Sequence, residues 1–333
     1  MKKLMLAGIL LAGIMVANGQ NVASTATLTS GGNLAGASGT ASTYYGANAG
    51  KLSTGLSNTF VGLNTGSSNT TGANNVYIGR SSGTLSLGSN NTFSGYNSGS
   101  NSGCTLAICT TSGNFNSFYG SSSGNANNGG NNNAFFGASA GAKNTSGSNN
   151  TYLGFSAGSN NLGTGNVFIG SNSGPSANQL GSSLSNTLFI DNSTNSNPLI
   201  WGDFAADLLK MNGKVGIGAV TTFPTNPLYT NYKLFVTGGI LADEVRVALS
   251  SGGTWADYVF EDDYKLKTLS EVEQFINQNG HLPNVPSAEQ VKEEGINVAE
   301  MARIQQEKIE ELTLYIIELN KKLEILEAKM ENK

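Results

Sequence analysis

The side chains able to do acid–base or metal chemistry are confined to one part of this 333-residue chain. All 22 Asp and Glu residues lie at or after Asp191, and the single histidine is His281. Between Asn21 and Ile190 the only charged residues are Lys51, Arg80 and Lys143. A glycosidase-type mechanism needs two carboxylates, calcium needs carboxylate oxygens, and general acid–base catalysis draws mostly on His, Glu and Asp. The first half therefore has no means for any of these. Further on, Asp262, Asp263 and His281 show no spacing that chemistry would recognise, and His281 reads as a structural histidine in a turn. No catalytic residue, cofactor or metal site is expected.

Two cysteines remain, Cys104 and Cys109, too few and too isolated for a zinc site. In an exported chain they would close a small disulfide loop, with two free surface thiols as the alternative. Export is expected from the N-terminus: Lys2 and Lys3, an apolar run from Leu4 to Val16, then the small-residue site Ala17-Asn18-Gly19. The signal is assigned to residues 1–19. No other segment is apolar and long enough to span a membrane. A formal net charge of −4 argues against nucleic acid as a partner.

An internal repeat organises residues 42–191. A glycine recurs at Gly46, Gly62, Gly79, Gly95, Gly120, Gly137, Gly154 and Gly170, at intervals of 16, 17, 16, 25, 17, 17 and 16 residues. Two positions before each stands an aromatic: Tyr44, Phe60, Tyr77, Phe93, Phe118, Phe135, Tyr152 and Phe168. Four before stands Asn in every copy after the first (Asn58, Asn75, Asn91, Asn116, Asn133, Asn150 and Asn166), and four after stands another glycine. Short strands bounded by glycine corners predict a parallel β-roll or solenoid in which like residues stack, giving an aromatic and an Asn ladder. The long interval, which holds both cysteines, is expected to be an outward loop.

The position after each aromatic is also apolar in seven of eight copies, from Tyr45 to Ile169, with Ser94 the exception. Adjacent strand residues face opposite ways, so this second stripe is expected on the outside, packed against sister chains. A wide coil burying both residues, or disorder, are the alternatives. These repeats resemble the head repeats of trimeric autotransporter adhesins and related bacterial surface proteins. That resemblance covers about Thr43 to Asp191 and implies a trimeric β-roll head. The chain ends in a charged helix without membrane-anchor strands, so autotransport is not implied.

Around the repeats lie a low-complexity segment (20–41) and a β-rich connector (192–254). Within the connector Lys214–Gly218 and Lys233–Gly238 read as strands; Asn186–Ile190 reads as a worn repeat capping the solenoid. Residues 255–298 form a small α/β block with one helix face at Leu269, Val272, Phe275 and Ile276. Ser270 is its expected N-cap with Glu273 three residues on, and Ser287 starts the next helix. The block resembles the C-terminal region of bacterial tail-fibre-like surface proteins, distantly allied with the intramolecular chaperone domain of phage spikes. That chaperone releases itself through a Ser-Asp pair, and Phe260-Glu-Asp-Asp-Tyr264 has no serine, so the protease role is not carried over.

Residues 299–333 are read as a coiled coil. Ile309, Ile316, Leu323 and Met330 occupy a, and Leu312, Leu319 and Leu326 occupy d. Ile at a with Leu at d favours dimers; the head resemblance favours trimers. The overall expectation is a mainly β homotrimer: solenoid head, β connector, then an α-helical C-terminal region. Its function would be that of a secreted or cell-surface, adhesin-like fibre binding a surface, glycan or protein. A phage-derived tail-fibre-like receptor-binding protein is the alternative. An ice-binding solenoid and an enzyme with a site in 191–333 follow behind. No regular Thr array exists for ice.

Overall fold

The computed structural model describes residues 22–24, 28–36, 38–100, 113–175, 183–194, 197–248 and 255–331. The signal segment 1–19 and both Cys104 and Cys109 lie outside them. The described residues fall into two compact units that divide between Gly238 and Gly239.

The first unit is a 13-stranded sheet whose strands follow one another in sequence order. It opens with β1 (Val22–Ser24), antiparallel to β2 (Leu28–Gly31). A parallel run follows through β3 (Ser42–Tyr45), β4 (Thr59–Val61), β5 (Val76–Ile78), β6 (Thr92–Ser94), β7 (Ser117–Tyr119), β8 (Ala134–Phe136), β9 (Thr151–Leu153), β10 (Val167–Ile169) and β11 (Thr187–Ile190). This is a parallel β-solenoid in which each short strand lies on the one before.

The sheet runs past both ends of residues 42–191. Strand β11 is the last parallel strand, and β12 (Ile200–Asp203) and β13 (Leu208–Met211) continue the sheet from it as an antiparallel hairpin. Reversing strand direction ends the coil, because β12 pairs antiparallel to β11. In the connector, β14 (Val215–Ile217) and β15 (Leu234–Val236) pair in parallel as a separate two-stranded sheet.

The core is one column of rings. Tyr44, Phe60, Tyr77, Phe93, Phe118, Phe135, Tyr152 and Phe168 are 0–2% exposed and sit on consecutive strands in register. From Phe60 to Phe168 the neighbouring ring centroids are 4.7–4.9 Å apart and nearly parallel, the strand spacing itself. Phe189 closes the column edge-on, 5.4 Å from Phe168. Burying each ring contributes roughly 1.5–3 kcal/mol relative to exposure.

Beside the rings runs a polar column. The backbone N–H of Asn75 donates to Oδ1 of Asn58 at 3.0 Å, and Asn91, Asn116, Asn133, Asn150 and Asn166 each repeat the bond to the asparagine below at 2.9–3.0 Å. Each Nδ2 donates across the coil to a carbonyl, as Asn133 does to Gly147 at 2.9 Å. A buried amide needs all its partners, and this geometry supplies them in every coil.

The second unit holds a 3₁₀ turn at Ala256–Phe260, then α1 (Leu269–Asn279), α2 (Ala288–Glu294) and α3 (Val298–Glu331). The N-cap of α1 is Thr268, not Ser270. Thr268 Oγ1 accepts from the N–H of Glu271, whose carboxylate accepts from the N–H of Thr268 in return. Both residues satisfy the S/T-x-x-E pattern, and the chain enters the helix two residues before the expected start. Ser287 caps α2 through the same reciprocal box with Gln290.

Candidate assembly and display surfaces

Alternation in the solenoid strands sends the ladder inward and its neighbours outward. Tyr45, Ile78, Tyr119, Phe136 and Leu153 are 39–54% exposed; Val61, Ser94 and Ile169 are half-buried. The outer stripe is thus a continuous surface column, and Tyr119 and Phe136 stack on it 4.9 Å apart. It adjoins Leu63, Tyr96 and Phe155 beyond the corner glycines, all exposed, and the guanidinium of Arg80 lies 5.7 Å over the Tyr96 ring. A wide coil with both residues inside is therefore not what forms.

Inside, the ring identity decides a further bond. Tyr44 and Tyr77 donate to Oγ of Ser53 and Ser86 at 3.0 and 3.1 Å, and Nδ2 of Asn161 donates to the Tyr152 hydroxyl at 2.9 Å. Burial pushes the Tyr77 and Tyr152 phenols well above the usual tyrosine range, so both stay neutral. Phe60 has no hydroxyl, and Asn69, nine residues on and fully buried, makes no hydrogen bond with either amide atom among the described residues.

In the second unit α3 has two different faces. One packs on its own chain: Ile304 is buried, and the carboxylate of Glu307, 3% exposed, gathers the Tyr258 hydroxyl, Asn284 Nδ2 at 3.2 Å, Arg303 at 3.1 Å and Lys308 at 2.8 Å. Burial alone would raise this carboxyl, but the hydrogen bonds from Lys308, Tyr258 and Asn284 outweigh it and hold Glu307 at about 2. Tyr264 donates to Glu311 at 2.5 Å, and Tyr315 to the Lys267 carbonyl at 2.5 Å.

The other face carries the heptad. Ile309, Leu312, Ile316, Leu319, Leu323, Leu326 and Met330 are 53–71% exposed. The structure leaves all seven more than half exposed in one stripe. Leu269 and Ile276 on α1 are also open.

Chemistry is sparse. Among the described residues no group of three or more His, Cys, Asp or Glu could hold a metal ion. His281 sits edge-on to Phe275 with its Nδ1 3.0 Å from the Leu282 carbonyl, and Asp262 and Asp263 are exposed on the segment before α1. No helix among the described residues is long and apolar enough to cross a membrane. No protein-family model, curated protein or solved structure matches the chain.

Sequence reasoning missed the Glu307 cluster. Tyr258 and Asn284 reach Glu307 from 49 and 23 residues away, and no local spacing announces them. It also missed the hairpin β12–β13, whose outer strand carries Leu208, Leu209 and Met211 exposed.

Proposed function

We propose that this chain is an exported, non-enzymatic surface or fibre protein that assembles as a homotrimer. The solenoid, with its 16–17-residue repeats stacked like on like, forms the head, and the heptads of α3 form a coiled coil that registers the chains. The head is adhesin-like: a neutral, Asn/Ser/Thr-rich surface suited to hydrogen-bonding a glycan, protein or other surface, with several copies adding avidity.

The observation that carries this reading is the division of labour on α3. One face is occupied by Ile304, Glu307 and their partners, while seven heptad residues stay 53–71% exposed. A stripe that apolar and that regular is stable in water only when like stripes cover it. The outer stripe of the solenoid makes the same demand along the head. Local helices also meet at lower loop entropy than distant strands, so the coiled coil is the natural start of assembly.

Light scattering coupled to size exclusion tests the reading on the chain from Gln20 onward. A mass near three chains, on the order of 100 kDa given 34.4 kDa for one, is the expected result. Removing residues 309–333 is expected to give monomeric or aggregated heads. A compact monomer from the intact chain, or a well-folded trimer from the truncation, overturns it.

A further inference from the structure

We propose that the groove of about 380 Å³ between α3 and the start of α1 is the seat of Ile317 from a neighbouring copy of this chain, running parallel and in register. The inference rests on the oligomeric reading above and adds to it a second contact that fixes orientation and height.

The groove is lined by Leu266, Leu269, Tyr315, Glu318, Leu319 and Lys322, among others. In the heptad Leu319 is a d residue, Tyr315 and Lys322 are g, and Glu318 is c. The depression therefore lies on the d–g–c flank of α3, directly beside the seam, so any helix that covers Leu319 also lies over Leu266 and Leu269. In a parallel coiled coil the g flank of one helix faces the e flank of the next. Beyond e lies b, and the b residue at this height is Ile317.

Three observations fit that occupant. Ile317 is 44% exposed although it belongs to neither a nor d. With the chains in register, position 317 stands level with residues 315–322, the stretch of α3 that lines the groove. The rim carries the complementary charge: Lys322 at g faces Glu327 of the partner subunit at e, five positions on. An antiparallel pair would set g against g and bring the lysines Lys322 and Lys329 toward each other. Within its own chain Lys322 reaches Glu318 at 2.6 Å, an exposed pair that leaves it free to exchange.

Cross-linking tests the contact in the full chain carrying Cys104→Ser and Cys109→Ser. Ile317→Cys combined with Leu269→Cys is expected to give, on oxidation, covalent multiples of the chain with a 269–317 link between copies. Positions b and g lie on opposite sides of α3, so one chain cannot close this link on itself. Neither single-cysteine variant should form it. A second arm reads the charges: Lys322→Glu is expected to lower the thermal midpoint of the assembly, and adding Glu327→Lys to restore it. Glu327→Lys alone serves as the background, because a lysine there also stands three and four residues from Glu324 and Glu331 of its own helix; restoration beyond that background comes from between chains, since residues five apart do not meet on one helix. An oligomer by light scattering that yields no 269–317 link and no restoration overturns this contact while leaving the oligomeric reading in place. A monomer overturns both.

Discussion

At the residue scale the solenoid interior is a set of small matched choices. Wherever the ladder ring is a tyrosine, the residue nine positions later is its hydrogen-bond partner, as Ser53, Ser86 and Asn161 are. Where the ring is phenylalanine, Asn127 and Asn144 instead close onto the glycine three residues on. Asn69 does neither: among the described residues neither of its buried amide atoms has a well-formed hydrogen bond, although it stands near the Tyr77 hydroxyl. Phe60→Tyr places a hydroxyl at that amide and is expected to stabilise the head by about 0.5–1.5 kcal/mol, the net value of one hydrogen bond. Denaturant midpoints of the head check it, and an unchanged or lowered midpoint refutes the match. The opposite change is harsher. Asn133→Ala leaves the buried Asn150 N–H without its acceptor and takes one of two donors from the Gly147 carbonyl, so a loss of about 1–3 kcal/mol is expected. Thr151→Ala, next to the ladder residue Asn150 but exposed on its strand, serves as its mild control.

At the element scale each strand is only three or four residues long, and its corners decide the fold. Gly141 shows why one corner cannot vary: its φ is +57°, and a Cβ there would stand 2.3 Å from the Phe135 ring. Gly141→Ala combines a left-handed backbone with a clash against the ring column and is expected to cost about 2–4 kcal/mol, read as a drop in thermal midpoint. These corners were legible in the sequence because glycine, aromatic and asparagine recur in fixed order, and the buried columns follow those positions one for one. The start of α1 was legible only to within two residues, since Thr268 and Ser270 both precede a glutamate at the capping distance. The hairpin β12–β13 carries no repeat, so its pairing depends on contacts that periodicity does not encode. The surface contacts of α3 divide the same way. Its heptad is visible in spacing alone, whereas Glu307 draws Tyr258 and Asn284 from remote segments.

At the scale of the whole molecule the two units answer acid differently. Between Asn21 and Ile190 no carboxylate or histidine exists, so no group there takes up a proton in the range where carboxylates do. The second unit depends on Glu307, held at about 2 in the fold against an ordinary 4.5. A depressed carboxyl stabilises the folded state above the ordinary value, and that contribution fades as pH falls from 4.5 toward 2. Acid titration followed by circular dichroism should therefore lose helix in that window while the strand signal and the buried tyrosines persist; simultaneous loss of both would refute it. The ring column has a different consequence. Because every rung meets the same neighbours above and below, a coil duplicated or deleted by recombination creates no new interface. Each such event would change the reach of the head by one step of about 4.8 Å, making length a quantity that selection can set without redesigning the fold.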